Sequence, residues 1–354
     1  MSWKHTKGTH LINNSIKYFD FFCFVLYVSI LFVNFVTSFK YLFILTTMIQ
    51  PKVSVIIPVY NTSQYLYDAV GSVVRQTLQE IEIICVDDGS TDNSLEILKQ
   101  MANDDNRMVV IHQENQGQSV ARNTAMKYAH GKYIYFMDSD DIIVLDALFQ
   151  CYEYCENLLL DFCFFDGDVM LEDGAHNLSW DYHRTSNYSE STIYKGVELF
   201  ERMLDTNTHR AVPWLWLVRK EYIDRIGIFF YPGIIHEDEL YSVLLFLQAE
   251  KIGCLKKSFV CHRVRATSTM GKKYSIRNVN CYFTVIDELH KFAMKNVQHK
   301  ALIKKYSQYT LNAVFTTAFV LSFSEKIKAY HRLIASGYIK YVDFMVLLKF
   351  WLKQ

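Results

Sequence analysis

The chain has 354 residues, 51% of them hydrophobic and 21% charged, which is ordinary globular composition leaning apolar and enough length to bury a full core. Lys+Arg and Asp+Glu both number 37, so no basic excess favours a polyanion, and nucleic acid is excluded as an expected partner. Eight cysteines, Cys23, Cys85, Cys151, Cys155, Cys163, Cys254, Cys261 and Cys281, lie in apolar stretches without a CxxC pair; they read as small buried thiols in a reducing compartment rather than as zinc ligands.

The first element is apolar. "FFCFVLYVSILFVNFVTSF", Phe21 to Phe39, carries no charge and approaches the roughly 20 residues of a membrane-spanning helix. Lys4, Lys7 and Lys17 precede it, which would hold the N-terminus in the cytoplasm and send the rest of the chain outside, against the reducing environment that the cysteines suggest. Met48 stands just before "IQPKVSVIIPVYN". Residues 1–47 therefore read either as a membrane segment or as an extension upstream of a start at Met48.

Beyond Met48, β-rich runs alternate with helical spacing. Val53 to Ile57, Ile81 to Val86, Met108 to His112 and Tyr133 to Met137 read as strands; Leu66, Val70, Val73, Val74 and Leu78, then Leu95, Leu98 and Met101, fall at helical intervals. This order predicts an α/β fold, a mostly parallel Rossmann-like sheet flanked by helices, with halves over 48–150 and 151–270. Ligands of such sheets bind at the carboxyl ends of the strands. There the chain places "PVYN", "DDGSTDNS" and "DSDD", with Ser90, Thr91 and Asp92 also suited to starting the next helix.

Asp138, Asp140 and Asp141 end an apolar strand, where their repulsion must raise the energy of the fold unless something cancels it. A hard divalent cation, Mg2+ or Mn2+, would do so while taking its other ligands from water and substrate phosphates. A diphosphate is the implied guest. Neither a GxxxxGK[ST] loop nor a GxGxxG after a strand is present, so neither a triphosphate cradle nor a dinucleotide site is expected.

Together "VSVIIPVYN", "VDDGSTDNS", "NQGQSVARN" and "YIYFMDSDD", in this order and spacing, resemble the nucleotide-sugar half of family 2 glycosyltransferases with the GT-A fold, over about 51–146 and more weakly to about 270. The resemblance implies inverting transfer of one sugar from a nucleotide diphosphate sugar, usually a UDP-sugar, to an acceptor hydroxyl. It implies that Pro58 and Tyr60 line the base pocket, that Asp88 accepts from the base imide with Asp87 shaping the same turn, that Asp138 binds ribose and that Asp140 binds the metal. Arg122 would brace the nucleotide pocket; a salt bridge to Asp87 or Asp88 explains it equally well. Ala125 stands where the family commonly has glycine.

The second half must supply a base for the acceptor hydroxyl. "IIHEDELYS" offers Glu237, Asp238 and Glu239 at a helix start, which by itself reads as complement to the helix dipole. By resemblance, Glu237 and Asp238 are the family's acidic pair and Asp238 its catalytic base, with His236 as a neighbour tuning the site. In "CHRVRATSTM", Arg263 and Arg265 are read as facing opposite ways, leaving one for the phosphates; Arg265 is preferred, with Ser268 nearby and His262 as a ligand or phosphate contact. Trp214 and Trp216, two apart in "VPWLWLVRK", read as a strand whose aromatic face suits either a sugar or the core.

From about Gly271 the pattern is helical. Apolar residues interleave with Lys326, Lys328, Arg332, Lys340, Lys349 and Lys353, as in helices lying on an anionic membrane or packing on the catalytic domain. The processive "QxxRW" signature is absent, so one sugar per encounter is expected, on a glycan or lipid-linked acceptor in bacterial surface polysaccharide synthesis, in the cytoplasm at the inner membrane face. A sugar-phosphate nucleotidyltransferase and a non-catalytic nucleotide-sugar-binding protein are the alternatives.

Overall fold

The computed structural model describes residues 29–33, 50–174, 181–265 and 274–352. The chain divides into two compact units, 1–50 and 51–354. In the first, residues 29–33 are helical; the remainder of Phe21 to Phe39 lies outside the described residues, as do Ser268 and Lys353. No helix among the described residues is long and apolar enough to cross a membrane.

In the second unit the β-rich runs form strands. β1 (Val53–Val59), α1 (Leu66–Val74), β2 (Ile81–Asp88), α2 (Ser94–Asp104), β3 (Met108–Gln113), α3 (Gln118–Tyr128) and β4 (Tyr133–Phe136) follow in strict alternation. All of β1 and β4 is buried, as expected of Val/Ile/aromatic strands covered on both faces. Then come β5 (Ile142–Ile143), α4 (Ala147–Leu158), β6 (Phe162–Leu171), α5 (Gly196–Asp205), β7 (Trp216–Arg219), α6 (Lys220–Ile226), α7 (Glu237–Gln248) and β8 (Ile252–Val264).

These strands form one sheet in the order β3-β2-β1-β4-β7-β6-β8-β5. β3, β2, β1 and β4 pair in parallel, as do β6 and β8. β7 runs antiparallel to both β4 and β6, and β5 antiparallel to β8, so the sheet is mixed. Strand order reverses at β1, with β2 and β3 on one side and β4 on the other; loops leaving the carboxyl ends diverge there and open a crevice. The "PVYN", "DDGS" and "DSDD" turns all border it. Gly89 makes one of these turns feasible: its φ is +70°, and a Cβ would lie 2.8 Å from the Asn115 nitrogen.

The tail is built from α8 (Ile276–Lys295), α9 (Lys300–Thr317), α10 (Phe323–Ala335) and α11 (Phe344–Leu352). Val285, Leu289, Leu302, Ile303 and Tyr306 join the core under the sheet, while Val279, Phe283, Ile286, Leu311, Phe315, Leu333 and Phe350 form a second core of their own. Of the two readings of the tail, packing against the sheet unit is therefore realised by α8 and α9. Lys326, read as a membrane-facing cation, is instead buried with its ammonium over the Phe350 ring.

Candidate functional site

The crevice is lined first by the loop after β1. Pro58 is buried in the strand opposite Val86, and Tyr60 just beyond it is 49% exposed, free to stack on a planar ligand. The loop is pinned to its neighbour: Asn61 N donates to Ser90 Oγ, Thr91 N to Asn61 Oδ1 at 2.7 Å, Thr62 N to Ser94 Oγ, and Ser63 N to Asp92 Oδ2. Asp92 Oδ1 also accepts from Ser94 N at 3.0 Å at the start of α2. The residues read as a helix start thus also fix the shape of the crevice wall.

The two aspartates ending β2 are engaged differently. Both oxygens of Asp88 are engaged, Oδ1 by Gln113 Nε2 and Gln116 N, Oδ2 by Gly117 N at 2.8 Å, so Asp88 shapes the turn into α3 and has little left for a base imide. Asp87 Oδ2 lies 2.7 Å from His112 Nδ1, but its Oδ1 is buried without a hydrogen-bond partner. An orphaned buried acceptor is costly and calls for an outside donor. Asp87 thus keeps a buried carboxylate oxygen unengaged, whereas both oxygens of Asp88 are taken.

Beyond β4 the three carboxylates take different tasks. Asp141 is fully buried, 2.9 Å from His262 Nδ1 and accepting from Arg263 N at 2.9 Å. Asp140 pairs with Arg265 Nε at 2.7 Å. Burial, then the charges of Asp141 and Asp138, push its carboxyl up to about 7, against the pull of Arg265 and His262. Asp138, half-buried, accepts from Gln118 Nε2 and from Arg122 Nη2 at 2.9 Å.

Several expectations change here. Residues two apart in a strand share a face, so Arg263 and Arg265 do not diverge: both guanidiniums lie on the Tyr65 ring, at 4.9 and 5.1 Å. Arg263 is tied to the Asp140 carbonyl and Glu172; Arg265 answers only to Asp140 among the described carboxylates. His262 has Nδ1 held by Asp141 and its ring stacked on Trp214 at 5.0 Å, which leaves Nε2 as its remaining polar atom. Burial alone would lower its pKa, but Asp141 overrides this and raises it. Trp214 sits in a 3-10 turn (Pro213–Leu215) before β7 and is 2% exposed, so the core reading of this aromatic pair is the one realised.

A divalent cation suits this donor set. The carboxylate cluster is short of positive charge, as the displaced Asp140 carboxyl attests. Among the described residues no group of three or more His, Cys, Asp or Glu forms a metal cage.

The acidic stretch lies at the N-terminus of α7, entered through His236 with φ +71°. His236 stacks on Tyr282 of α8 at 4.1 Å, and its Nε2 lies 3.3 Å from Asn278 Nδ2; burial lowers its pKa. Glu239 accepts from Tyr306 of α9 at 2.8 Å and lies 3.6 Å from His209. Burial would raise the Glu239 carboxyl, but these two partners hold it below its usual value. Glu237 meets Arg122 Nη1 at 3.2 Å. Among the described residues Asp238 has only the Glu239 amide as a donor, at 3.0 Å, and burial with the charges of Glu237 and Glu239 holds its pKa well above the ordinary value. Of the three it is the carboxylate without a side-chain hydrogen-bond donor among the described residues.

Arg122 joins the two halves. Instead of Asp87 or Asp88, its buried guanidinium grips Asp138 and Glu237 while lying 5.0 Å from the Phe230 ring. Asn123 fixes Phe230 in turn, donating to its carbonyl and accepting from its amide. Tyr282, Asn278, Tyr306, His209 and Phe230 were invisible in the sequence, where nothing ties them to residues 236–239.

The family model described as "Glycosyl transferase family 2" matches residues 54–227. Glycosyltransferase GlyA of Streptococcus pneumoniae serotype 4 is 32% identical over 62% of this chain, which spans only 32% of GlyA. Glycosyltransferase GlyG of the same organism is 30% identical over 63% of this chain and 74% of GlyG. Among solved structures, S. aureus TarS 1–349 in complex with UDP-GlcNAc aligns with TM-score 0.55 and 23% identity, over 67% of this chain and 66% of that one, a likeness of fold. The strand-end motifs and these alignments agree: the chain has the GT-A fold and belongs to glycosyl transferase family 2.

Proposed function

We propose that this glycosyltransferase moves a single sugar, with inversion, from a nucleoside diphosphate sugar to an acceptor hydroxyl, and that the donor is a UDP-sugar, as in the TarS complex. The observation that carries this reading is the Arg122 guanidinium held between Asp138 and Glu237: it sets the donor-side carboxylates against the acidic start of α7, so that donor and base meet in one crevice.

Tyr60 stacks on the base, Asp87 Oδ1 accepts from its imide, and Asp138 takes the ribose. Asp140, with Asp138, would hold Mg2+ or Mn2+, which as a Lewis acid stabilises the negative charge of the leaving diphosphate. Arg265, paired with Asp140, would transfer its guanidinium to the phosphates. Asp238 takes the proton of the acceptor hydroxyl at Oδ2 as that oxygen attacks the anomeric carbon; its raised pKa brings it nearer the value at which a carboxylate base works best near neutrality. Glu237 and Glu239, engaged by Arg122 and Tyr306, hold the turn. The acceptor is read as a glycan or a lipid-linked glycan at the inner face of a bacterial membrane.

The test pairs two variants. Asp238→Asn should retain UDP affinity and lower transfer by roughly two to four powers of ten, while Asp140→Ala should lose the metal dependence of UDP binding. Transfer by Asp238→Asn at the parental rate, or unchanged metal dependence in Asp140→Ala, overturns the corresponding assignment.

A further inference from the structure

The last two helices carry an apolar surface that the second core does not use. On α11, Phe344, Met345, Leu348 and Leu352 are 38–75% exposed, and at 3.6 residues per turn they fall within about 100° of the helix circumference. Phe350, on the other side, is buried. On α10, Phe323, Ile327 and Ile334 are 48–71% exposed and share one stripe by the same spacing. The stripes adjoin, because Trp351 of α11 meets the rings of both Phe323 and Tyr330 of α10.

The charge around this surface is one-sided. Between 323 and 352 lie five basic residues, Lys326, Lys328, Arg332, Lys340 and Lys349, against two acidic ones, Glu325 and Asp343. Glu325 is spent on the Ser322 cap, Asp343 on Asn312, Arg332 on Asp287, and Lys326 is buried. The exposed cations on these two helices are Lys328 and Lys349; Lys340, in the turn between them, has its ammonium over the Tyr341 ring.

We propose that the α10–α11 face docks on an anionic lipid bilayer, its apolar stripes entering the headgroup region and Lys328 and Lys349 meeting lipid phosphates. An apolar face rimmed by cations complements such a surface. A second copy of the chain fits less well, since a two-fold contact would bring together two faces with the same cationic excess and no exposed carboxylate left unengaged among the described residues of 323–352. The inference deepens the reading of a membrane-borne acceptor and rests on it: docking holds the crevice at the surface where such an acceptor resides.

Full chain would be mixed with phosphatidylcholine vesicles with and without phosphatidylglycerol, and hydrogen exchange followed in peptides from 323–352, which reports this face whatever residues 1–50 do. Protection of these peptides by the anionic vesicles, weakened by salt, is expected. It should fall at least about tenfold in apparent affinity in Phe344→Ser/Leu348→Ser and become salt-insensitive in Lys328→Gln/Lys349→Gln. All of these side chains are exposed, so donor hydrolysis in vesicle-free solution should stay at the parental rate. Unchanged exchange on adding vesicles, or equal protection in the variants, overturns the proposal, as does a parental dimer that Phe344→Ser/Leu348→Ser dissociates. Vesicle docking by a protein that turns over no nucleotide sugar would sustain this inference and sink the functional reading; turnover without docking does the reverse.

Discussion

Replacing Arg122 with methionine tests the junction on which the site depends. The substitution keeps the aliphatic bulk against Phe230 and removes the charge shared by Asp138 and Glu237. Leaving a buried charge without its partner costs about 3–5 kcal/mol; Asp138 keeps Gln118 and a side chain 25% exposed, whereas Glu237 is 11% exposed and loses the guanidinium that pairs it, so most of the loss falls there. At about 2 °C per kcal/mol for a chain of this size, Tm should drop by about 6–10 °C. The pH dependence has a definite sign. Burial already raises the Glu237 carboxyl above its usual 4.5, and Arg122 is the largest influence opposing this; without Arg122 it rises further. A raised acid keeps its proton in the folded chain after the unfolded chain has released it, so stability is retained below 4.5 and lost as pH climbs through the folded value. Thermal unfolding across pH 5 to 8 should therefore show a steeper fall for Arg122→Met than for the parent, with Arg122→Lys between them because an ammonium cannot grip both carboxylates as a planar fork does. A variant with parental Tm and parental pH slope would refute the reasoning.

The same geometry sets two further outcomes. Asp87→Asn should weaken UDP binding by about 1–3 kcal/mol, because its one remaining oxygen stays with His112 Nδ1 and an amide N–H, not an acceptor, faces the base, with little change in Tm, whereas Asp88→Asn, which disturbs three intramolecular donors, should lower Tm; calorimetric titration and thermal unfolding read the two, and the reverse pattern would restore the base to Asp88. Tyr306→Phe removes the hydroxyl on Glu239 and should cost about 1–3 kcal/mol in stability while lowering kcat more than donor affinity, because α9 helps hold the turn that carries Asp238; unchanged kcat and Tm would make Tyr306 a bystander.

The donor half was legible from residue order. Strand periodicity, the βαβα order and polar clusters at strand ends are local features, each readable within a few residues, and the geometry of parallel sheets sends all those ends to one edge. Residue order also carried the family resemblance and placed Asp238 at a helix start. Only the folded chain reveals which group each carboxylate answers to. Asp87 and Asp88 are neighbours in sequence and in the same strand, yet it is the positions of Gln113, Gln116 and Gly117 that show Asp88 to be consumed. The reversed β7, the path of Arg122 to Glu237 across 115 residues, and the reach of α8 and α9 to His236 and Glu239 arise from packing between segments far apart in the chain. Hydrophobic periodicity shows that a face will be buried but carries no address for its partner, since the apolar attraction that buries it is non-directional.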